Sequence, residues 1–133
     1  MGRRLSLDTG VLIGLERQTL SPSILSQDDD ICVSIVVLAE YMMGLELAQP
    51  QYRPRMRRFL DGFLDVVAVL PYDEEILDSH VKLLAWTHRN GCPRGQYDLI
   101  IAATSVATDR ILLTLDKRAR FDELPGLTME LII

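Results

Sequence analysis

Short apolar runs alternate with longer stretches of helical periodicity along this chain, which predicts an α/β fold with a mostly parallel, five-stranded sheet. Five runs have strand character and fall at 4–8, 31–34, 65–70, 110–114 and 127–132. The segment from Tyr97 to Ala107 is apolar nearly all round, as a helix buried within a layered fold would be. With 133 residues the chain is expected to form one domain, 1–133.

The elements follow in order. Arg4–Asp8 reads as the first strand and 10–17 as a helix. Ile31–Ser34 is the second strand. The run from Ile35 to about Ala48 is too long for a strand and holds Ala, Met and Leu, so it reads as a helix. Over 55–64, Met56, Phe59, Leu60, Phe63 and Leu64 share one stripe opposite Arg55, Arg57, Arg58 and Asp61, an amphipathic helix. The third strand is read over 65–70, ended by Pro71. Apolar positions at 76/77, 80/81 and 84/85 give a helix over 73–88, followed by a loop at 91–95. After the 97–107 helix comes the fourth strand, a short helical turn over 116–121, the Pro125-Gly126 break and the last strand. Parallel strands joined by right-handed crossovers require helices on both faces.

Composition excludes several classes. Apolar residues make up 48% and the formal charge is -5, so neither disorder nor a broadly basic nucleic-acid coat is indicated. The longest apolar run, Ile31–Ala39, is far short of the roughly 20 residues of a membrane span, so no membrane association is expected. Asp8 interrupts the apolar stretch that a signal peptide would need. Cys32 and Cys92 without a secretory signal point to the reducing cytoplasm.

Four acids lie where burial should make them costly. Asp8 ends an apolar strand. Glu40 has Val36, Val37, Met43 and Gly44 as its helical neighbours. Asp98 opens the most apolar helix, and Asp116 directly follows Ile-Leu-Leu-Thr-Leu. In open parallel sheets, ligands bind outside the carboxyl ends of the strands where strand order reverses, and all four acids are expected to converge there. Clustered anions call for a divalent cation, and an oxygen-only donor set favours Mg²⁺, with Mn²⁺ the alternative, over zinc. Basic clusters at Arg53, Arg55, Arg57 and Arg58, at Arg89 and Arg94, and at Lys117, Arg118 and Arg120 would flank a polyanionic substrate. Structural readings stand beside these: Asp8 and Asp116 as helix caps, Asp98 as a favourable charge on a helix dipole, Glu40 as the partner of an arginine. His80 reads as core or cleft edge, Trp86 as packing, and the Cys and His residues lack zinc spacing.

The segments LSLDTGVLIGLE, SIVVLAEYMMGLELA, YDLIIAATSVA and ILLTLDKRARFDELPGL, in this order, resemble a PIN-domain ribonuclease of the VapC toxin type. The resemblance implies a three-layer α/β/α sandwich and a metal-dependent endoribonuclease held inactive by a small antitoxin. It implies Asp8, Glu40, Asp98 and Asp116 as catalytic and metal-binding acids, with Thr9 and Thr114 as supporting hydroxyls. Members often carry an acid directly before the Phe that precedes Pro-Gly; here Arg120 stands there, and Asp122 follows Phe121 as a substitute candidate. The expected partners are RNA, the antitoxin, and a second copy or a toxin–antitoxin hetero-oligomer, with DNA reached only through the antitoxin. The expected chemistry is attack of metal-activated water on phosphorus, giving 5′-phosphate and 3′-hydroxyl ends. Asp98 or Asp8 would orient the water. Two rival readings are a receiver-like Mg²⁺-binding signalling module, which would need paired acids after the first strand, and a catalytically inactive interaction domain. Tyr41, Met42 and Leu45 are expected to form an apolar surface for a partner.

Overall fold

The structure is a computed structural model and describes residues 2–132. Its elements are β1 (Arg4–Leu7), α1 (Thr9–Glu16), β2 (Asp30–Ser34), α2 (Ile35–Leu47), α3 (Arg53–Val66), β3 (Ala68–Leu70), α4 (Glu74–Arg89), α5 (Gln96–Ala107), β4 (Ile111–Thr114) and β5 (Thr128–Leu131), with single 3₁₀ turns at Pro22–Ile24 and Phe121–Glu123. The five strands are all parallel, in the order β3-β2-β1-β4-β5. The chain steps outward from β1 to β3, then returns to the other side of β1 for β4 and β5. Strand order therefore reverses between β1 and β4, and right-handed crossovers then place helices on both faces, the three-layer arrangement.

The central strands are buried beyond their first residues, as a sheet covered on both faces requires. Leu5, Leu7, Leu112 and Leu113 of β1 and β4 are at most 1% exposed. From α5, the side chains of Leu99, Ile101, Ala102, Ala103, Thr104 and Ser105 are all buried, which explains why that segment shows no polar face.

Four local readings are corrected. The third strand starts at Ala68, not 65, because α3 continues through Asp65 and Val66: Leu60, Phe63 and Val67 extend one buried stripe at helical spacing while Val66 is 80% exposed. No helical turn spans 116–121. The Asp116 carboxylate accepts the amides of Arg118 and Ala119 at 2.8 and 3.1 Å, a side-chain turn that competes with helix. Helical geometry begins only after Arg120, which is left-handed at φ 50. The 3₁₀ turn at Pro22–Ile24 was not expected; its signal is Ser21 as N-cap with Pro at the first helical position. Finally, Tyr41 and Leu45 are core residues, 3% and 4% exposed, because Val37, Tyr41 and Leu45 form the inward stripe of α2. Met42, Met43 and Leu47 form its outer apolar surface.

A carboxylate cavity at the strand-order switch

Asp8 leaves β1 beside β4. Its amide donates to the Leu113 carbonyl at 3.0 Å, continuing the β1–β4 ladder by one residue. That register sets its carboxylate beside Thr114. Thr114 Oγ1 donates to Asp8 Oδ2 at 2.7 Å and accepts the Asp116 amide at 3.0 Å. Asp8 Oδ1 accepts the Thr9 amide at 2.9 Å and so caps α1. Thr9 Oγ1 in turn donates to Glu40 Oε1 at 2.6 Å. Glu40 thus has a hydroxyl as its partner, not an arginine. One hydrogen-bonded chain runs Glu40–Thr9–Asp8–Thr114–Asp116, built from both sides of the switch.

Asp98 faces this chain from the first turn of α5. It accepts no hydrogen bond among the described residues. Gly95, the N-cap of α5, makes room for it: a Cβ on Gly95 would stand 3.2 Å from Asp98 Oδ2. Asp8, Thr9, Gly10, Glu40, Asp98, Leu115 and Asp116 line one cavity of about 270 Å³. The four acids, which lie between positions 8 and 116 in sequence, therefore share one site. Asp122 does not line it. It lies in the adjoining depression with Asp116, Lys117 and Arg120.

The electrostatics are those of a site short of positive charge. Burial pushes the Asp98 carboxyl up to about 6, and the like charges of Asp8, Asp116 and Glu40 add to that. Burial also raises Asp8, although its bonds from Thr114 and Thr9 pull the other way. The positive charge of Arg94 opposes the rise at Asp98. This guanidinium is itself buried, with a side chain 3% exposed. It donates to the Cys92 carbonyl at 3.0 Å and the Arg120 carbonyl at 3.5 Å, and it pairs with Glu123. It therefore does not belong with the exposed cations Lys117, Arg118 and Arg120.

The donor set is all oxygen and suits a hard divalent ion. Among the described residues, no three acids stand close enough to enclose an ion by themselves. That spacing disfavours a closed structural zinc site and fits an ion that retains several waters. His80 lies away from the cavity, its Nδ1 2.7 Å from the Tyr72 hydroxyl. A larger cavity of about 500 Å³ runs between α1, α2 and α3. Glu40 forms part of the wall of both cavities, and Glu16, Tyr41, Arg55 and Met56 line the larger one.

A parallel sheet with a carboxylate-lined cavity at its switch point defines a class of α/β protein whose ligand site is acidic and open. The chain belongs to the PIN-domain family, whose family model matches residues 5–127, and within that family to the VapC proteins. It is 30% identical over 99 residues to the tRNA(fMet)-specific endonuclease VapC of Shigella flexneri, covering 74% of this chain and 73% of that protein. It is 28% identical over 130 residues to ribonuclease VapC of Rickettsia bellii, covering 96% and 97% of the two chains. Among solved structures, VapBC2 of Rickettsia felis bound to a promoter DNA fragment superposes with a TM-score of 0.87 at 21% identity, covering 98% of this chain and 99% of that one. DNA-bound VapBC of Salmonella typhimurium gives 0.84 at 25% identity, with 98% of each chain covered.

Proposed function

We propose that this chain is a divalent-cation-dependent endoribonuclease acting as the toxin of a toxin–antitoxin pair. The observation that carries the reading is the single cavity lined by Asp8, Glu40, Asp98 and Asp116, with no cation paired to any of them among the described residues. The names of the relatives, ribonuclease and tRNA(fMet)-specific endonuclease, support RNA as the substrate class.

Asp8, Asp98 and Asp116, with Glu40, would hold Mg²⁺ or Mn²⁺, which supplies charge neutralisation at the phosphoryl oxygens and a lowered water pKa when bound. The chain's own residues divide the remaining work. Both Asp8 oxygens already accept a bond, from Thr9 N and Thr114 Oγ1, so Asp8 is fixed in place. Asp98 receives no donor among the described residues, and we assign it the orienting of the attacking water, whose proton its carboxylate accepts. Water adds to phosphorus, the bond to the 3′-oxygen breaks, the departing oxygen takes a proton from solvent, and the products carry 5′-phosphate and 3′-hydroxyl ends. Glu40, tied to Thr9, holds the α2 side of the cavity. The exposed Lys117, Arg118 and Arg120 stand on the loop after Asp116, placed to meet RNA phosphates.

The antitoxin is read as a small protein whose C-terminal segment crosses the cleft and offers a cation to the acids. The larger cavity between α1, α2 and α3 shares Glu40 with the acid cavity and supports that path, and the VapBC neighbours support a partner of this kind that carries the contact with DNA. The exposed Met42, Met43 and Leu47 support a protein contact, with the antitoxin or a second copy.

The deciding experiment incubates the purified chain with total RNA, including tRNA(fMet), in Mg²⁺, in Mn²⁺ and in EDTA, and sequences the new ends. Cleavage that requires the cation, leaves 5′-phosphates and disappears in Asp98→Asn supports the reading. Cation-independent cleavage with cyclic phosphate ends, or no cleavage of any RNA, removes it. A small phosphodonor that labels the chain would favour the receiver alternative instead.

A further inference from the structure

Arg94 is a strongly buried cation on the loop that leads into the acid cavity, and its contacts cross between two segments that carry acids. On one side it is anchored to its own loop, through the Cys92 carbonyl at 3.0 Å and the Pro93 carbonyl at 3.4 Å; four residues on, that loop delivers Asp98. On the other it reaches the Arg120 carbonyl at 3.5 Å and the Glu123 carboxylate, in the loop that follows Asp116. We propose that Arg94 is a positioning residue whose buried fork ties the Asp98 segment to the Asp116 loop and so sets the span across the acid cavity. This rests on reading the cavity as a divalent-cation site.

Three features favour it. First, the cost is high for an ornamental contact. A buried guanidinium gives up its hydration, and Arg94 does so with its Nε left without a partner. Unsatisfied buried groups are concentrated where function constrains a site. Second, the receiving loop is held in an unfavourable conformation: Arg120, whose carbonyl accepts from Arg94, is left-handed at φ 50 and ψ 48 although it is not glycine. Third, Asp98 has no protein donor of its own, so its position depends on the backbone that carries it. Gly95 lets that backbone approach the carboxylate closely. Only a planar fork can serve carbonyls on one loop and a carboxylate on another at once; a lysine ammonium on the same stem lacks that reach.

Acting merely as a local positive charge, Arg94 would oppose cation binding. The two roles therefore differ in sign. The experiment measures Mn²⁺ affinity of the full chain by calorimetry, without RNA, for wild type, Arg94→Met, Arg94→Lys, Glu123→Gln and the Arg94→Met/Glu123→Gln pair. Positioning weakens Mn²⁺ binding by about tenfold in Arg94→Met, the scale on which supports behind metal ligands act. Arg94→Lys gives no rescue, and the two losses are not additive in the pair. Glu123 is at the surface, so its variant keeps the test open should Arg94→Met fold poorly. Tighter Mn²⁺ binding in Arg94→Met that Arg94→Lys reverses, or unchanged affinity throughout, overturns the proposal. Amide exchange provides an arm independent of any metal. In Glu123→Gln and Arg94→Met, amides at 95–99 and 116–120 should exchange faster together while the sheet stays protected. Loosening of one segment alone sinks the proposal. If wild type binds no Mn²⁺ and cuts no RNA, the cation reading fails, and the exchange result still decides whether Arg94 joins the two loops.

Discussion

The two ends of the sheet treat the same residue type in opposite ways. At the amino ends of the strands, half-buried Asp29 and exposed Asp30 both answer to arginines. Arg3 holds Asp29 at 2.8 Å, with the Asp29 side chain only 2% exposed, while Arg4 and Arg110 reach Asp30 at 3.4 and 3.1 Å. Arg3 keeps the Asp29 carboxyl well below the ordinary carboxylate range. At the carboxyl ends, Asp8, Glu40, Asp98 and Asp116 receive only hydroxyls and amides, or nothing, and the Asp98 carboxyl is pushed up to about 6. Acids neutralised from within are architecture. Acids gathered without a counter-charge lower the stability of the isolated protein and leave a place for a cation from outside.

The contrast can be broken at either end. The largest effect is expected at Asp8: Asp8→Asn should slow RNA cleavage on the order of 10²–10³-fold, as loss of preorganised charge does, without lowering the melting temperature. A single-turnover assay alongside a thermal melt checks both. Next is the cation itself. Mn²⁺ at 100 times its dissociation constant should stabilise the wild type by about 2.7 kcal/mol and do nothing for a variant lacking Asp8 and Asp98, read from urea midpoints.

At the other end, Asp29→Asn should cost about 2 kcal/mol, less than a fully buried pair because Arg3 is partly solvated. Its cleavage rate per folded molecule should be unchanged. The stability that Asp29 contributes is present at neutral pH and is lost on acidification below its unfolded value of 3.8, because the folded carboxyl is the more acidic of the two.

Asp98 should behave in reverse. Its folded carboxyl near 6 lies above its unfolded 3.8, so the native state holds the proton longer, and the metal-free protein loses stability as pH rises through that window. Asp98→Asn should remove this slope and leave the protein about 1 kcal/mol more stable at pH 7.5, after allowance for solvent screening. Urea melts of both proteins at pH 4.5 and 7.5 test it; equal slopes would show that Asp98 feels no crowding. The smallest effect is at Asp122, outside the cavity: Asp122→Asn should change cleavage by less than about twofold, as exposed substitutions do.

Much of this was legible in the sequence because apolar patterning and backbone chemistry are local. The uninterrupted run of Tyr97–Ala107 announced a buried helix, and each of the four acids stood against an apolar background that gave it away. Other features depended on contacts between distant segments. Nothing near Glu40 indicated that its partner would be the Thr9 hydroxyl, 31 positions away. Arg94 read as one more surface cation because burial is a property of what packs around it. The continuation of α3 past Leu64 was hidden because Asp65-Val66-Val67 suits strand and helix equally, and the choice fell to Val67 entering the same buried stripe as Phe63. Tyr41 and Leu45 looked available to a partner until α3 covered α2.

The placement of β1 has a consequence for biosynthesis. The central strand is made first, and its second neighbour, β4, can join it only after β2, β3 and the five intervening helices have been made. Asp8 cannot acquire its bond from Thr114, 106 positions away, nor the cavity its Asp116 wall, until those residues have been translated. A polypeptide stalled or cut short before that point carries the first acids but no enclosed site. On the function proposed above, a nuclease built this way gains its site only once β4 has emerged, and its inhibitory partner is needed from that point onward.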